Sequence, residues 1–472
     1  MSIYPNQEED DEIKDLIAQY EQLRTGQSHA FLDEEAFERI IDYYDDGDHL
    51  TLALEASDFA IAQFPYSAGL LIKKADLLIA TKHYRQALGF LKQAEIFDAN
   101  DINLYILKTE AFLALGYPEK ATATFETAIE LFSGNERLEL LFELAEVYDD
   151  YEEFEKVFDC LKAALEQDPT NEEALYKICF WTDYTGRNEE GIKLHLQILE
   201  EHPFCELAWF NLAAAYQGLK LYEKAIDAYK YAVAIDDKFD FAYRNMGDAY
   251  LRLRKYRDAI ECLQKVLTLA QPEDVVYEAL GHCYDKLHLY KEARNYYRKA
   301  SNLDPENSQL YYKIACTYMS ESRWLDAVNN LQTAMRIYRK QPEYNLAMGQ
   351  SLMELGKYEE AIEYLGVAVR ARTRNINGWL ELLRCLYLGG FLEDGERYIS
   401  QALEQTQGKP VLYFYKAAFL FAMGKSKDAL IQLETGLTLN PRLIKKMREL
   451  DPTILQNPHI LDAIARIRKK KF

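Results

Sequence analysis

Apolar and polar positions recur along this chain with a long and regular period. Stretches that begin at Trp209, Tyr243 and Tyr277 follow one another at intervals of 34 residues. Within each interval, apolar residues recur at the spacing of a helix face, and a short polar break separates two such faces. A helical pattern with this period predicts an array of helix pairs, because a single pair cannot bury its apolar face alone.

The same frame extends in both directions along the chain. We predict an acidic segment with a capping helix over residues 1–33, twelve repeats over residues 34–441, and capping helices with a basic tail over residues 442–472. One interval is 36 residues instead of 34, which places an insertion of two residues near Asn135. The twelve units begin at residues 34, 68, 102, 138, 172, 206, 240, 274, 308, 342, 376 and 410.

Small residues mark the places where the two helices of a unit should meet. The twentieth residue of nearly every unit is small, as at Ala225 and Ala259, and a small side chain lets two helix axes approach to about 8–10 Å. Glycine recurs at the fifteenth residue, as at Gly116 and Gly356. Glycine at that point supplies the left-handed conformation that ends a first helix.

The aromatic residue, the Leu-Ala or Leu-Gly pair and the tyrosine of these stretches, with the later alanine, resemble the tetratricopeptide-repeat (TPR) family. The resemblance covers most of the chain and points to no individual protein. It implies an all-α fold, namely a right-handed TPR superhelical solenoid of about twelve helix-turn-helix units. It also implies that the first helix of each unit lines an inner, concave groove.

Three units depart from the pattern. The fifth has Thr182, Gly191 and His195 where other units have tyrosine, alanine and an apolar residue. The eleventh has Gly395 at its twentieth residue, and the twelfth has Ser426 in place of an aromatic residue. We expect looser packing in these units, with hinges there.

Charge is distributed unevenly. The chain carries a formal net charge of −22, and its acidic middle lacks the clustered basic face of a nucleic-acid surface. The basic tail holds Arg466, Arg468 and Lys469–Lys471. These residues suit either an anionic surface or the end of a helix dipole.

No apolar run approaches the roughly 20 residues that span a bilayer, and no secretory leader is visible, so we predict a cytoplasmic protein without membrane insertion.

Chemistry-bearing motifs are absent from the sequence. Seven cysteines occur without a C-x-x-C pair and read as small core residues in a reducing compartment. Phosphate-binding, dinucleotide-binding, zinc-protease and hydrolase motifs are all missing. We therefore predict that the protein is not an enzyme and that it uses no cofactor and no metal.

Binding is the function that the resemblance favours. Carried over residue by residue, the inner positions of TPR units predict a peptide-binding groove. Asn211 and Asn245 are the central pair, because a carboxamide can bond both polar groups of an extended backbone. This is similar to the asparagine ladder of the O-GlcNAc transferase TPR arm, although Ala279 breaks the ladder here. The alternative is that these two side chains only face water and bind no ligand. The predicted groove residues are Tyr176, Lys177, Phe210, Asn211, Arg244, Asn245, Tyr312 and Lys313.

The fourth unit is acidic on the same face. Its carboxylates could receive a basic segment of a partner, or they could be a solvated face of an acidic protein. The residues of this predicted acidic groove patch are Glu139, Glu143, Glu146, Asp149 and Asp150.

We therefore predict a non-catalytic scaffold or adaptor that binds peptide segments of partner proteins in the TPR groove. One alternative is a regulatory subunit that recruits substrates to a separate enzyme. A second alternative is a structural spacer that uses its caps and convex face. The identity of the partner does not follow from the sequence, because function resides in sites and not in folds.

Overall fold

Regular structure in the described part of the chain is helical throughout. The computed structural model describes residues 7–27, 31–456, 458 and 460–462. These residues form 25 α-helices and two 3-10 helices, which confirms the all-α prediction. The chain divides into two compact units, Met1–Ala242 and Tyr243–Phe472, called unit 1 and unit 2 below.

Unit 1 contains one helix followed by six helix pairs, and first helices pack side by side from α2 to α8 and again at α10 and α12. Its helices are α1 Gln7–Arg24, α2 Glu34–Asp46, α3 Leu50–Gln63, α4 Ala68–Ala80, α5 Tyr84–Phe97, α6 Ile102–Ala114, α7 Pro118–Leu131, α8 Gly134–Asp150, α9 Phe154–Gln167, α10 Glu172–Tyr184, α11 Asn188–Glu201, α12 Glu206–Gly218 and α13 Tyr222–Ile235. The boundary between the units falls within α14 Asp240–Arg252.

Unit 2 continues the pairing and ends in 3-10 structure. Its helices are α15 Tyr256–Leu269, α16 Asp274–Lys286, α17 Tyr290–Leu303, α18 Ser308–Ser320, α19 Trp324–Ile337, α20 Pro342–Glu354, α21 Tyr358–Ala371, α22 Ile376–Leu388, α23 Leu392–Gln405, α24 Pro410–Ala422 and α25 Ser426–Leu439. The 3-10 helices are Pro441–Glu449 and Ile454–Gln456.

Eleven of the twelve first helices begin at the residue where the sequence predicts the start of a repeat, and the exception is α8. This helix begins at Gly134 and is 17 residues long, whereas a typical first helix such as α10 has 13 residues. The inserted residues and a shortened α7–α8 connection therefore extend α8 by about one turn at its amino end.

The turn inside each helix pair always uses a left-handed residue. Gly116 and Gly356 both have φ of 76° at the fifteenth residue of their units. Lys220 has φ of 61° at the equivalent position. The amide of the next residue, Leu221, donates to Tyr216 O over 2.9 Å, which closes the helix as a glycine would. Seven of the twelve repeats use a residue other than glycine at this position: Asp48, Lys82, Glu152, Lys220, Arg254, His288 and Ser322.

Alanines fill the seam between paired helices, as their spacing predicts. Ala53, Ala121, Ala225 and Ala259 are each 0 % exposed. With side chains this small, the helix backbones approach closely, and a larger residue would overpack the seam.

The expectation of loose packing is wrong at Gly395. A Cβ atom built on this glycine would lie 1.9 Å from Cε1 of Phe419, so an aromatic ring of α24 occupies the space beside α23. In the fifth repeat a Cβ on Gly191 would lie 2.7 Å from Cγ2 of Thr182, which again shows a close approach. That repeat is unusual in another respect, because α11 contacts α12 over a longer stretch than it contacts its own partner α10.

The two ends of the described chain cover the terminal repeats. Tyr20 of α1 is fully buried against Phe37 and Tyr44. From Pro441 to Glu449, where the sequence predicts a capping helix, the chain forms a 3-10 helix that buries Met447. The basic tail from Arg466 onward lies outside the described residues.

Candidate protein-binding surface

The predicted groove residues fall in both units. Tyr176 and Lys177 lie on α10 and Phe210 and Asn211 on α12, all in unit 1. Arg244 and Asn245 lie on α14 and Tyr312 and Lys313 on α18, all in unit 2. Each compact unit therefore holds four of the eight predicted groove residues.

Asn211 does not present its carboxamide to solvent. Its side chain is 3 % exposed, and Nδ2 donates a hydrogen bond of 2.7 Å to the carbonyl oxygen of Leu175 on α10. This bond fixes α12 against α10 and uses the donor that the sequence assigned to a ligand. The prediction of a solvent-facing rung is therefore wrong for Asn211, because the residue faces the preceding repeat. Asn245 is half-buried on α14.

The predicted groove cations all pair with carboxylates of the protein. Nζ of Lys177 donates to Glu173 over 2.9 Å, and this bond raises the pKa of the lysine. Lys313 pairs with Glu278. These cations stabilise the helix layer, and a ligand carboxylate would have to compete with Glu173 and Glu278 for them.

Arg244 forms the most complete of these ion pairs. Its two terminal nitrogens donate to Glu273 over 2.8 and 2.6 Å, and this fork holds the pKa of Glu273 below its usual range. The pair therefore acts within unit 2 as a link between α14 and the start of α16.

Two of the three predicted groove aromatics are partly covered by neighbours. The ring of Phe210 packs against Tyr229 and Phe239, with centroids 5.7 and 5.0 Å away. Tyr312 packs against Tyr344 at 5.0 Å. Tyr176 differs, because 73 % of its surface is exposed.

Tyr176 belongs to an exposed aromatic stripe that the sequence frame did not single out. Tyr176, Phe180 and Tyr184 follow one another at four-residue spacing on α10, so they share one helix face. Phe180 and Tyr184 are 59 % and 58 % exposed, and their rings stack with centroids 5.6 Å apart. We call these three residues the α10 aromatic stripe.

The stripe rests on a second aromatic layer. Trp181 lies 5.0 Å from Phe180 and 5.6 Å from Tyr184, and it stacks on Phe154 at 5.5 Å. These contacts hold the rings in place, so the exposed aromatic area is preorganised. The signal in the sequence is the pair Phe180-Trp181 followed by Tyr184 within one helix.

The predicted acidic groove patch lies on α8, and one of its residues contacts α10. All five carboxylates of the patch are exposed on α8. The side chain of Lys177 links the two helices, because its Nζ lies 3.5 Å from Glu146 and 5.4 Å from the ring centroid of Phe142. Through Lys177, Glu146 of α8 therefore contacts α10, the helix that carries the stripe.

Acidic residues continue along the first helices toward the amino end. The ninth residue of each of the first four repeats is acidic: Asp42, Asp76, Glu110 and Glu146. Burial raises the pKa of Glu110 first, and the charges of Asp76 and Asp150 raise it further. Carboxylates of consecutive repeats therefore repel one another across this face. We call these four residues the acidic ladder.

Two lysines partly neutralise the negative charge of the acidic ladder. Lys73 pairs with Asp42, and Lys177 reaches Glu146 as described. The pKa of Asp76 remains raised, first by partial desolvation and then by the charge of Asp45. A raised carboxylate pKa means that a further cation beside the ladder would be favourable.

Among the described helices, none combines the length and apolar character needed to cross a bilayer. Within the same residues, His, Cys, Asp and Glu side chains form no cluster of three or more that could hold a metal ion.

Two family models match the chain. The model described as the tetratricopeptide repeat protein 21 C-terminal ARM domain matches residues 187–354, and the model described as tetratricopeptide repeat matches residues 346–410. No curated protein matches the chain.

Solved structures of similar fold include several helical-repeat proteins. YrrB, described as a TPR protein with an unusual peptide-binding site, aligns at 18 % identity and a TM-score of 0.36, covering 39 % of this chain and 95 % of its own. A TPR protein fragment from Cytophaga hutchinsonii aligns at 16 % identity and a TM-score of 0.45, covering 54 % and 98 %. The Cut9–Hcn1 structure aligns at 13 % identity and a TM-score of 0.37, covering 82 % and 90 %.

Proposed function

The chain is a tetratricopeptide-repeat protein, and on that premise we propose that it is a non-catalytic scaffold or adaptor that binds segments of partner proteins. The family match supports the general role, since TPR repeats commonly serve as binding surfaces for other proteins.

We also propose a cytoplasmic location. The free cysteines of the described chain support this location, because thiols persist in a reducing compartment.

The α10 aromatic stripe is the observation that carries this proposal. Three aromatic rings on one helix face are more than half exposed, although aromatic side chains gain most by leaving water. Exposed aromatic clusters of this kind mark interaction sites, and tyrosine is enriched among the residues that dominate binding energy. The rigid backing by Trp181 and Phe154 lowers the entropy cost of ordering the surface when a partner binds.

The chemistry around the stripe favours a basic segment as the partner. Glu146 of α8 contacts Lys177 on the helix that carries the stripe, and the acidic ladder continues along the first helices of unit 1. An arginine or lysine of the partner could meet a ring face and a carboxylate together. Neighbouring first helices lie about 10 Å apart, which matches about three residues of extended chain. A segment with a basic residue at about every third position fits this spacing.

The test is affinity capture from a lysate of the source cell, read by mass spectrometry. We expect Phe180→Ser/Tyr184→Ser bait to lose partners that the wild-type chain captures, because the variant removes two of the three rings. Phe204→Ser is the matched control, since Phe204 is 81 % exposed in the same unit but lies off the stripe.

Circular dichroism would establish that all three baits are equally folded. Retention of every wild-type partner by the double variant would overturn the proposal for this surface. Loss of the same partners by Phe204→Ser would show that binding depends on exposed aromatic area in general and not on the stripe.

A further inference from the structure

A separate pocket lies in unit 2, on the side of the second helices. Residues of α17, α18 and the start of α19 enclose a volume of about 480 Å³. Four cations line it, namely Lys291, Arg294, Arg298 and Arg323, around the ring of Tyr318. Such a concentration of positive charge is unexpected in a chain with a net charge of −22.

The cations of α17 share one helix face. Lys291, Arg294 and Arg298 are spaced three and four residues apart, so their side chains project in one direction. Arg323 lines the same pocket from the next helix pair, at the residue that precedes α19. Guanidinium groups of two consecutive helix pairs therefore share the pocket.

Arg294 occupies a position that neighbouring repeats fill with aliphatic side chains. The equivalent residues are Ile260 and Val328, which are 9 % and 6 % exposed, and Arg294 is itself only 5 % exposed. Burying a guanidinium costs desolvation free energy that an aliphatic residue avoids, and a hydrophobic replacement of a buried ion pair is often neutral or stabilising. Stability therefore does not account for arginine at this position.

Tyr318 holds the guanidinium groups in fixed places. The Cζ atoms of Arg294 and Arg323 lie 4.3 and 4.7 Å from the ring centroid. A terminal nitrogen of Arg298 donates 2.7 Å to the tyrosine hydroxyl. The remaining donors of these groups are thus preorganised around the pocket.

The charge is only partly compensated inside the protein. Arg294 pairs with Glu321 and Arg323 with Asp326, each at 2.7 Å. Within the described residues, Lys291 and Arg298 form no ion pair, and Glu292 is the one carboxylate among the lining side chains. The pocket therefore retains cationic donors for an anion from outside.

We infer that this pocket binds a phosphate dianion, carried either by a phosphorylated side chain of a partner or by free phosphate. Arginine forks match phosphate oxygens in geometry, and their hydrogen bonds to a charged acceptor are the stronger kind. This site is independent of the proposed function, because it lies on other helices and binds the opposite charge.

The test is calorimetric titration of the full chain with phenyl phosphate, inorganic phosphate and benzoate. We expect saturable binding of phosphate and at least tenfold weaker binding to Arg298→Gln. Phenyl phosphate binding more tightly would identify a phosphate ester as the source, and equal affinities would identify free phosphate. Arg336→Gln is the matched control, because Arg336 is exposed on α19 outside the pocket.

The inference is overturned if neither phosphate binds, if benzoate binds as well as phosphate, or if Arg298→Gln and Arg336→Gln weaken binding equally. A second variant, Arg294→Ile, restores the aliphatic residue of the neighbouring repeats. We expect it to keep or raise the melting temperature while it weakens phosphate binding. A fall in melting temperature with unchanged phosphate binding would instead make Arg294 a structural residue.

Discussion

At the residue scale, the turn inside each repeat adopts the same left-handed backbone conformation with different residue types. Lys220 and Gly356 occupy equivalent left-handed positions with φ of 61° and 76°. A residue with a Cβ atom pays roughly 1–2 kcal/mol for that conformation, whereas glycine does not. Seven of the twelve turns therefore carry a local strain that the rest of the repeat compensates.

Replacing Lys220 with glycine should stabilise unit 1. We expect a gain of about 0.5–1 kcal/mol, because relief of the left-handed strain is partly offset by the greater freedom of glycine in the unfolded chain. Thermal unfolding followed by circular dichroism measures this as a higher melting temperature.

Gly356→Ala is the reciprocal change, since a Cβ atom there would meet nothing within 4 Å and only the backbone is affected. We expect this variant to melt at a lower temperature. Equal melting of both variants and the wild type would show that the turn conformation contributes nothing to stability.

At the scale of the element, helix α11 is the least regular member of unit 1. It packs more on α12 than on its partner α10, and it buries His195 to 1 % exposure with no hydrogen bond to either ring nitrogen among the described atoms. Burial lowers the pKa of His195 to about 3, so this imidazole is neutral inside the folded repeat at neutral pH.

The stability of this repeat should therefore depend on pH. In the unfolded chain the pKa of histidine is about 6.5. Between pH 6.5 and 3 the unfolded chain binds a proton that the folded chain excludes, so stability is complete above pH 6.5 and falls as the pH decreases through that window.

Urea unfolding of the wild type and His195→Leu between pH 7.5 and 4.5 would measure the effect. We expect the variant to lose less stability on acidification, because it has no imidazole to protonate. His202→Leu, near the end of the same helix, serves as the control and should follow the wild type. Identical slopes for His195→Leu and the wild type would contradict this account of α11.

Helix positions follow closely from the sequence, while the orientation of side chains on those helices does not. The 34-residue period specifies where first helices start because capping, turn and seam residues repeat together, and α8 departs because its insertion can extend the helix. Asn211 was assigned to the groove from its repeat position, but the same position also faces the preceding helix. A one-dimensional frame cannot separate these two orientations. Of the α10 aromatic stripe, only Tyr176 is among the predicted groove residues, because the sequence frame does not show that Phe180 and Tyr184 are exposed.

At the scale of the whole molecule, charge and exposed apolar surface occur together in unit 1. The acidic ladder and the predicted acidic groove patch lie on the first helices of the first four repeats, and the α10 aromatic stripe lies on the first helix of the fifth. Long-range attraction would bring a basic segment toward the acids, and ring burial would then hold it. Salt should weaken the first step more than the second, because screening acts on exposed charges.

The most direct measurement is photo-cross-linking from the stripe itself. A chain that carries p-benzoylphenylalanine at position 180 would be irradiated in a lysate of the source cell, beside a chain with the same group at position 204. The cross-linked peptides would then be sequenced by mass spectrometry. We predict abundant cross-links from position 180 to segments rich in arginine and lysine, and few from position 204. Cross-links of equal yield from both positions, or segments from position 180 that are acidic, would contradict the claim that the α10 aromatic stripe binds a basic partner segment.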